Sequence, residues 1–374
     1  MKKVKVVIVG GGLAGTYLAY LLEKNKYIDY QLFEAKDVLG GRIRGESAVN
    51  ASETDSVSNE SSLTVDLGPT WFWPHQKKIQ RLLNQLKVDF FQQYSEGRAL
   101  YQLFPNAEPE QVNGLGVPLS YRVKGGMSSI IRELSKRITT EKIYLSSPVV
   151  SVDKNDQDWV LKVKSENSEK TYLADYLIIA TPPRIFTHNI ACADLLPEKL
   201  TQLLLKTPTW MATQAKFVAN YKKPFWREQG LAGDVFSRTG PMMEIHDASA
   251  DIQNGYALFG FLGMPINSRK LLSANELKQR CLQQLVTLFG SEALQTESMH
   301  LKDWANDTTV CTALDISETP QHPAIDLSPY EATLTDKKLS FIGAEYANDE
   351  AGYLEGALAS VESLLERLPG KIAL

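Results

Sequence analysis

One stretch constrains this chain more than any other: Val6-Val7-Ile8-Val9-Gly10-Gly11-Gly12-Leu13-Ala14-Gly15. A β-branched run closed by glycines is what a strand buried on both faces looks like, and the glycines fall as G-x-G-x-x-G at Gly10, Gly12 and Gly15. Each has a steric task. Gly10 lets the chain turn out of the strand, Gly12 lets backbone N–H groups approach a pyrophosphate, and Gly15 lets the next helix sit close on the sheet. Leu18, Ala19, Leu21 and Leu22 give that helix an apolar face, and its positive end points at the phosphates. Tyr30 to Phe33 read as a second strand ending in Glu34. A carboxylate about 20 residues past the glycines binds a ribose 2′-hydroxyl and repels a 2′-phosphate. Strand, glycines, helix, strand and acid in this order specify a dinucleotide site; alone they leave NAD and FAD open.

The 374 residues suffice for two domains, or for one interrupted by another. A hydrophobic content of 43% with 22% charged residues is globular, and a net charge of −4 offers no basic field for nucleic acid. The opening Met1-Lys2-Lys3-Val4 runs into the glycine motif without a cleavage site, and no segment reaches the roughly 18 uncharged apolar residues that span a bilayer. The expectation is a cytoplasmic protein without membrane contact. Cys192, Cys281 and Cys311 are too scattered for a disulfide framework or a zinc site, and the five histidines show no ligand spacing, so no metal is expected.

Along the chain, Gly45 to Leu63 is polar and reads as a surface excursion. Leu63 to Pro74 reads as a short strand and a turn carrying Trp71, Phe72 and Trp73, aromatics that either plug a core or line a ligand cavity. Lys77 to Val88, and the stretch after Gly125-Gly126-Met127, have helical spacing. Lys142 to Val152 and Trp159 to Val163 alternate like strands of a half-exposed antiparallel unit, with Pro148 between, and Asp175 to Pro183 reads as a buried strand rejoining the first sheet. From about Ile185 to Pro323 the texture changes, with strands at Gln214 to Tyr221 and Tyr256 to Leu262 and a capping box, Ser273 to Glu276, opening a helix that buries Cys281. Leu339 to Glu345 and the helix from Gly352 close the chain.

Several motifs in order resemble the flavin-dependent amine oxidases of the monoamine and polyamine oxidase type. Glu34 is followed by Gly40-Gly41-Arg42, similar to the extended FAD fingerprint that meets the pyrophosphate and the flavin side. Asp66-Leu67-Gly68 resembles the strand passing the flavin ring, Pro148-Val149-Val150 the segment at the adenine, and Ala180-Thr181-Pro182-Pro183 the closing strand end. Phe341 to Glu345 and Gly352-Tyr353-Leu354-Glu355-Gly356-Ala357 resemble the second FAD motif. The resemblance implies an α/β fold: a Rossmann-like FAD-binding domain built from discontinuous segments (1–75, 141–186 and 324–374), with an inserted α+β substrate-binding domain carrying a mixed sheet (76–140 and 187–323). The cofactor residues it implies are Gly10, Gly12, Leu13, Ala14, Gly15, Glu34, Ala35, Gly40, Gly41, Arg42, Gly68, Pro69, Thr70, Val149, Gly343, Glu345, Tyr353 and Leu354.

The resemblance also implies oxidation of a small-molecule amine to an imine with O2 as acceptor, by a monomer or homodimer. Lys216, inside an apolar strand, resembles the lysine beside the flavin; the alternative is that strand alternation points it outward. Tyr353 matches one tyrosine of the family's aromatic pair, and the segment from Trp304 to Leu314 offers no second. Lys216, Tyr353 and Trp304 are the expected catalytic residues, with Trp71 and His246 as further pocket candidates. Cys311 lies near the family's flavin-attachment segment with a different spacing, so FAD is expected to be non-covalent. Two rivals share the motifs: a flavin desaturase or porphyrinogen oxidase, and a non-catalytic binding protein like the dissociation inhibitors of small GTPases.

Overall fold

The computed structural model describes residues 2–27, 29–47, 64–105, 107–113, 118–165, 168–192, 195–250, 255–318, 321–323 and 325–367. Most of the polar stretch before Leu63 lies outside them, although Gly45–Ser47 forms a strand antiparallel to Thr64–Asp66.

The first sheet forms around Lys2–Val9, which pairs in parallel with Tyr30–Phe33 on one side and with Ser168–Ile179 on the other. Its alternation divides two cores. Val6 and Ile8 pack with the helices on one face, while Val7 and Val9 pack on the opposite face with Trp159, Leu177 and Phe341. Both faces are therefore covered, as a parallel sheet requires. The twelve-residue strand Ser168–Ile179 serves two neighbours: its start pairs with Trp159–Ser165 and its end with Leu339–Phe341, so the C-terminal segment rejoins the first sheet.

The second sheet runs Thr296–Asp303, Ala215–Tyr221, Tyr256–Leu262, Met242–Asp247, Leu231–Ser237, Arg98–Gln102, Glu110–Asn113. It is mixed: Leu231–Ser237 lies parallel to Arg98–Gln102 and the other pairs are antiparallel. Helix Ala274–Phe289, opened by the Ser273–Glu276 capping box, covers one face through Leu277, Cys281, Leu285 and Leu288. Ala215, Phe217 and Ala219 point to that helix, and Val218 packs on the other face with Val65 and Leu67.

Packing departs from the expected division in the segment 76–140. Helices Lys77–Leu86 and Ser128–Ser135, expected in the substrate-binding domain with 76–140, bury Ile79, Leu82, Leu83, Ile130 and Leu134 in the nucleotide-domain core with Leu18 and Leu358. Of the described residues of that segment, Arg98–Gln102 and Glu110–Asn113 join the second sheet, while Phe90–Gln92 and Tyr121–Val123 pair with each other. Lys142 to Val152 divides at Pro148. Ile143–Tyr144 adds in parallel to Tyr30–Phe33, and Val149–Lys154 starts the antiparallel unit after Pro148.

Candidate active site

A cavity of about 1420 Å³ runs between the two sheets. Every expected cofactor residue lines it except Gly15, and so do Lys216, Trp304 and Trp71. Gly15 has a different reason to be glycine: a Cβ there would stand 2.0 Å from the Gly10 carbonyl oxygen. Gly10 has φ +109°, and a Cβ on it would meet Ala180 O at 2.8 Å. Gly12 needs no glycine for packing, since no protein atom lies within 4 Å of its would-be Cβ. The room is on the cavity side, at the N-cap of Leu13–Lys24, a helix start with no side-chain cap and no acidic residue in its first turn. That is a cradle for an anion.

Glu34 is tied down at the rim of this cradle. Its carboxylate accepts from Gly11 N at 2.7 Å and Lys36 N at 2.9 Å, and burial pushes its proton affinity up against those two bonds. Arg42 and Glu345, 303 residues apart, form a bidentate pair at 2.6 and 2.9 Å. Glu345 also accepts from Trp210 N at 3.1 Å, and Arg42 donates to Trp210 O at 3.0 Å. The first and last motifs thus close on each other through Trp210.

Beyond that clamp the cavity becomes aromatic. Trp73 meets Tyr353 edge-on at 5.3 Å, Trp210 stands 6.2 Å from Tyr353, and the Tyr353 hydroxyl bonds His322 Nε2 at 3.2 Å. The strand alternation does take Lys216 away from the covering helix, but the nucleotide domain closes over that face, and Lys216 is only 2% exposed. Its ammonium donates to Gly68 O at 3.1 Å and to Thr70 Oγ1, with the Phe259 ring centroid at 4.2 Å. Burial pushes Lys216 down to about 7; Asp66 resists this and Arg122 adds to it. Asp66 in turn is pushed up to about 6 by burial. Lys216 is a buried amine held by neutral acceptors, able to hold or lose a proton near neutral pH.

Of the three aromatics after Gly68, Phe72 plugs the core against Phe90 and Tyr121, while Trp71 and Trp73 line the cavity. Trp304 lines it too, with its indole N–H donated to Leu67 O at 2.9 Å. His246 is not a lining residue: it is 2% exposed, with both ring nitrogens 2.7 Å from carboxylates, Asp234 and Glu244, and it is Glu244 that reaches the cavity. Cys311 is packed with Ala212 and Trp304, and burial, with Asp315 nearby, pushes its thiol up to about 12, which suits no covalent attachment.

Sequence reasoning missed Trp210, Phe261 and Met264, which line the same cavity. Trp210 had one readable partner, Gly352: a Cβ there would stand 2.8 Å from its ring. Among the described residues, no group of three or more His, Cys, Asp or Glu is placed to hold a metal, and no helix is long and apolar enough to cross a membrane.

Comparison with known proteins follows this geometry. The family model for flavin containing amine oxidoreductases matches residues 108–361, and that for NAD(P)-binding Rossmann-like domains matches residues 8–86. A flavin-containing amine oxidase of Oncorhynchus mykiss is 24% identical over 96% of this chain and 84% of its own length. An L-amino acid dehydrogenase of Synechocystis sp. is 25% identical over 71% of this chain and 57% of that protein. The structure of a putrescine oxidase bound to putrescine superposes with a TM-score of 0.76 at 18% identity, covering 97% of this chain and 98% of that one.

Proposed function

This chain belongs to the flavin-containing amine oxidoreductase family, and from that premise we propose that it oxidises a primary or secondary amine to an imine with O2 as the final acceptor. Water then converts the imine to an aldehyde or ketone and releases ammonia or an amine, and O2 leaves as hydrogen peroxide. The carrying observation is the single cavity that joins the Gly10–Gly12 cradle to Lys216, Trp73, Trp210 and Tyr353.

FAD fits the nucleotide end, where Gly12 leaves open space and Glu34 is fixed at the rim. Gly10, Gly12, Leu13, Ala14, Gly40, Gly41 and Arg42 would hold the pyrophosphate side, Glu34 and Ala35 the ribose, and Val149 the adenine. Gly68, Pro69, Thr70, Gly343, Glu345, Tyr353 and Leu354 would face the flavin. When bound, FAD supplies the two-electron acceptor.

The chain's own residues orient and protect. Helix Leu354–Arg367 starts at the cavity wall, so the positive end of its dipole favours electron-rich groups there. Tyr353, Trp73 and Trp210 make walls that exclude water and align an unprotonated amine. Tyr353 takes one place of an aromatic pair, and the tryptophans supply the surface that no second tyrosine offers. Lys216 holds or passes a proton at Nζ. Trp304 fixes the wall through Leu67 and touches no reacting atom in this assignment.

The test is oxygen consumption with peroxide release across primary, secondary and tertiary amines and amino acids. Turnover with primary or secondary amines supports the reading; turnover confined to amino acids moves it to their oxidation. Failure with every amine removes it.

A further inference from the structure

At the aromatic end of the cavity the sheet register sets one row of side chains. Lys216 pairs with Phe261, and Phe261 pairs with Glu244, so the three stand side by side across three adjacent strands. Side chains in register share a face, and all three line the cavity. Neighbouring strands lie about 4.8 Å apart, which puts Glu244 about 10 Å from Lys216 along the wall.

Arginine and carboxylate partners neutralise one another one to one elsewhere in the cavity, Arg42 with Glu345 and Arg269 with Asp303, while Glu318 at its edge shares Arg184 with the buried Asp315. Glu244 is bound differently. Its Oε1 faces His246 Nε2, and His246 Nδ1 faces Asp234, each at 2.7 Å. A carboxylate oxygen at each ring nitrogen is the arrangement that favours a proton on both, and so favours the imidazolium form of His246. One cation between two carboxylates leaves one negative charge. Against burial, which favours the neutral ring, the two carboxylates raise the proton affinity of His246, in agreement with that geometry. Asp234 and His246 are sealed inside at 4% and 2% exposure, so the charge is offered to the cavity through Glu244. Trp71 stands edge-on to His246 at 5.1 Å and to Phe261 at 6.4 Å, making the wall between Lys216 and Glu244 apolar.

An apolar wall ending in a fixed negative charge suits an alkyl chain with a cation at its far end. We infer that Glu244, set by His246 and Asp234, is a specificity-determining residue that selects a diamine or longer polyamine over the monoamine of equal length. The inference rests on the amine-oxidising reading of this cavity. Glu244 touches the distal ammonium; His246 and Asp234 are positioning residues that act through it.

The experiment compares cadaverine with pentylamine on the FAD-loaded wild type and on Glu244→Gln. The wild type is expected to favour cadaverine in kcat/KM by tenfold or more, the size of one charged hydrogen bond. In Glu244→Gln the ratio falls towards one, with the loss in the KM for cadaverine rather than in kcat. A ratio that is the same in both proteins overturns the inference while leaving the amine-oxidising reading intact. Should neither amine turn over, the wider amine panel decides the amine-oxidising reading, and calorimetric titration of both amines into both proteins decides the inference. Tighter cadaverine binding that Glu244→Gln abolishes supports it, and equal affinities overturn it.

Discussion

At the nucleotide end the cavity wall is backbone: Gly10, Gly12, Gly40 and Gly41 line it from two turns near the start of the chain. At the aromatic end the wall is side chains, and Trp73, Trp210, Lys216, Glu244, Phe261 and Tyr353 arrive from segments spread over most of the sequence. Backbone recognition of a pyrophosphate needs short glycine turns at fixed spacing, so its determinants are local. Positioning a small substrate needs side chains at a few points of a wall, which any strand or turn crossing that wall can supply. The first end is thereby suited to one cofactor, and the second is free to vary in what it admits.

The sharpest way to break this comparison lies within the glycine motif itself. Gly15→Ala places a Cβ 2.0 Å from a backbone carbonyl oxygen and is expected to cost about 3 kcal/mol or more, read as loss of folded protein in denaturant melts. At the other end, Lys216→Met removes the buried amine that we propose carries a proton, with an expected fall of about a hundredfold in the rate of flavin reduction or of its reaction with oxygen, measured by stopped flow. Unchanged rates for both would take Lys216 out of the mechanism. Gly12→Ala meets no protein atom within 4 Å and should leave the melting of the FAD-free protein unchanged. Its effect is confined to the cofactor, with FAD affinity lower by about tenfold or more in a fluorescence titration; equal loss of stability in Gly12→Ala and Gly15→Ala would erase the distinction between packing and cradle.

A smaller effect comes from pH. Burial lowers Lys216 from 10.5 to about 7, so between those values the unfolded chain binds the extra proton and the folded one does not. This group therefore makes stability rise with pH across that window, and Lys216→Met should flatten the rise in denaturant titrations. The smallest change is expected from Cys311→Ala: about 1 kcal/mol of stability and the same release of flavin on acid precipitation as the wild type.

The contrast between the ends also explains what the sequence made legible. Val6 to Gly15, Glu34 and Gly40-Gly41-Arg42 are contiguous, and each residue's type follows from a local demand of backbone or charge. Tyr353 and Lys216 could be placed through motifs that resemble a family. The row Lys216, Phe261, Glu244 could not, because it exists only through the register of three strands. Trp210 was hidden for a similar reason, since it sits in a turn and its role depends on Glu345 and Gly352 folding back on it. Helices Lys77–Leu86 and Ser128–Ser135 showed their apolar faces plainly, but periodicity does not say which core a face will join.

The central claim is that one cavity brings FAD and an amine together. Anaerobic mixing of the FAD-loaded protein with a panel of monoamines, diamines and amino acids tests it most directly. The account predicts that at least one amine bleaches the yellow flavin, and that air restores the colour with release of peroxide. A flavin that stays oxidised with every amine, yet is readily reduced by dithionite, would contradict it.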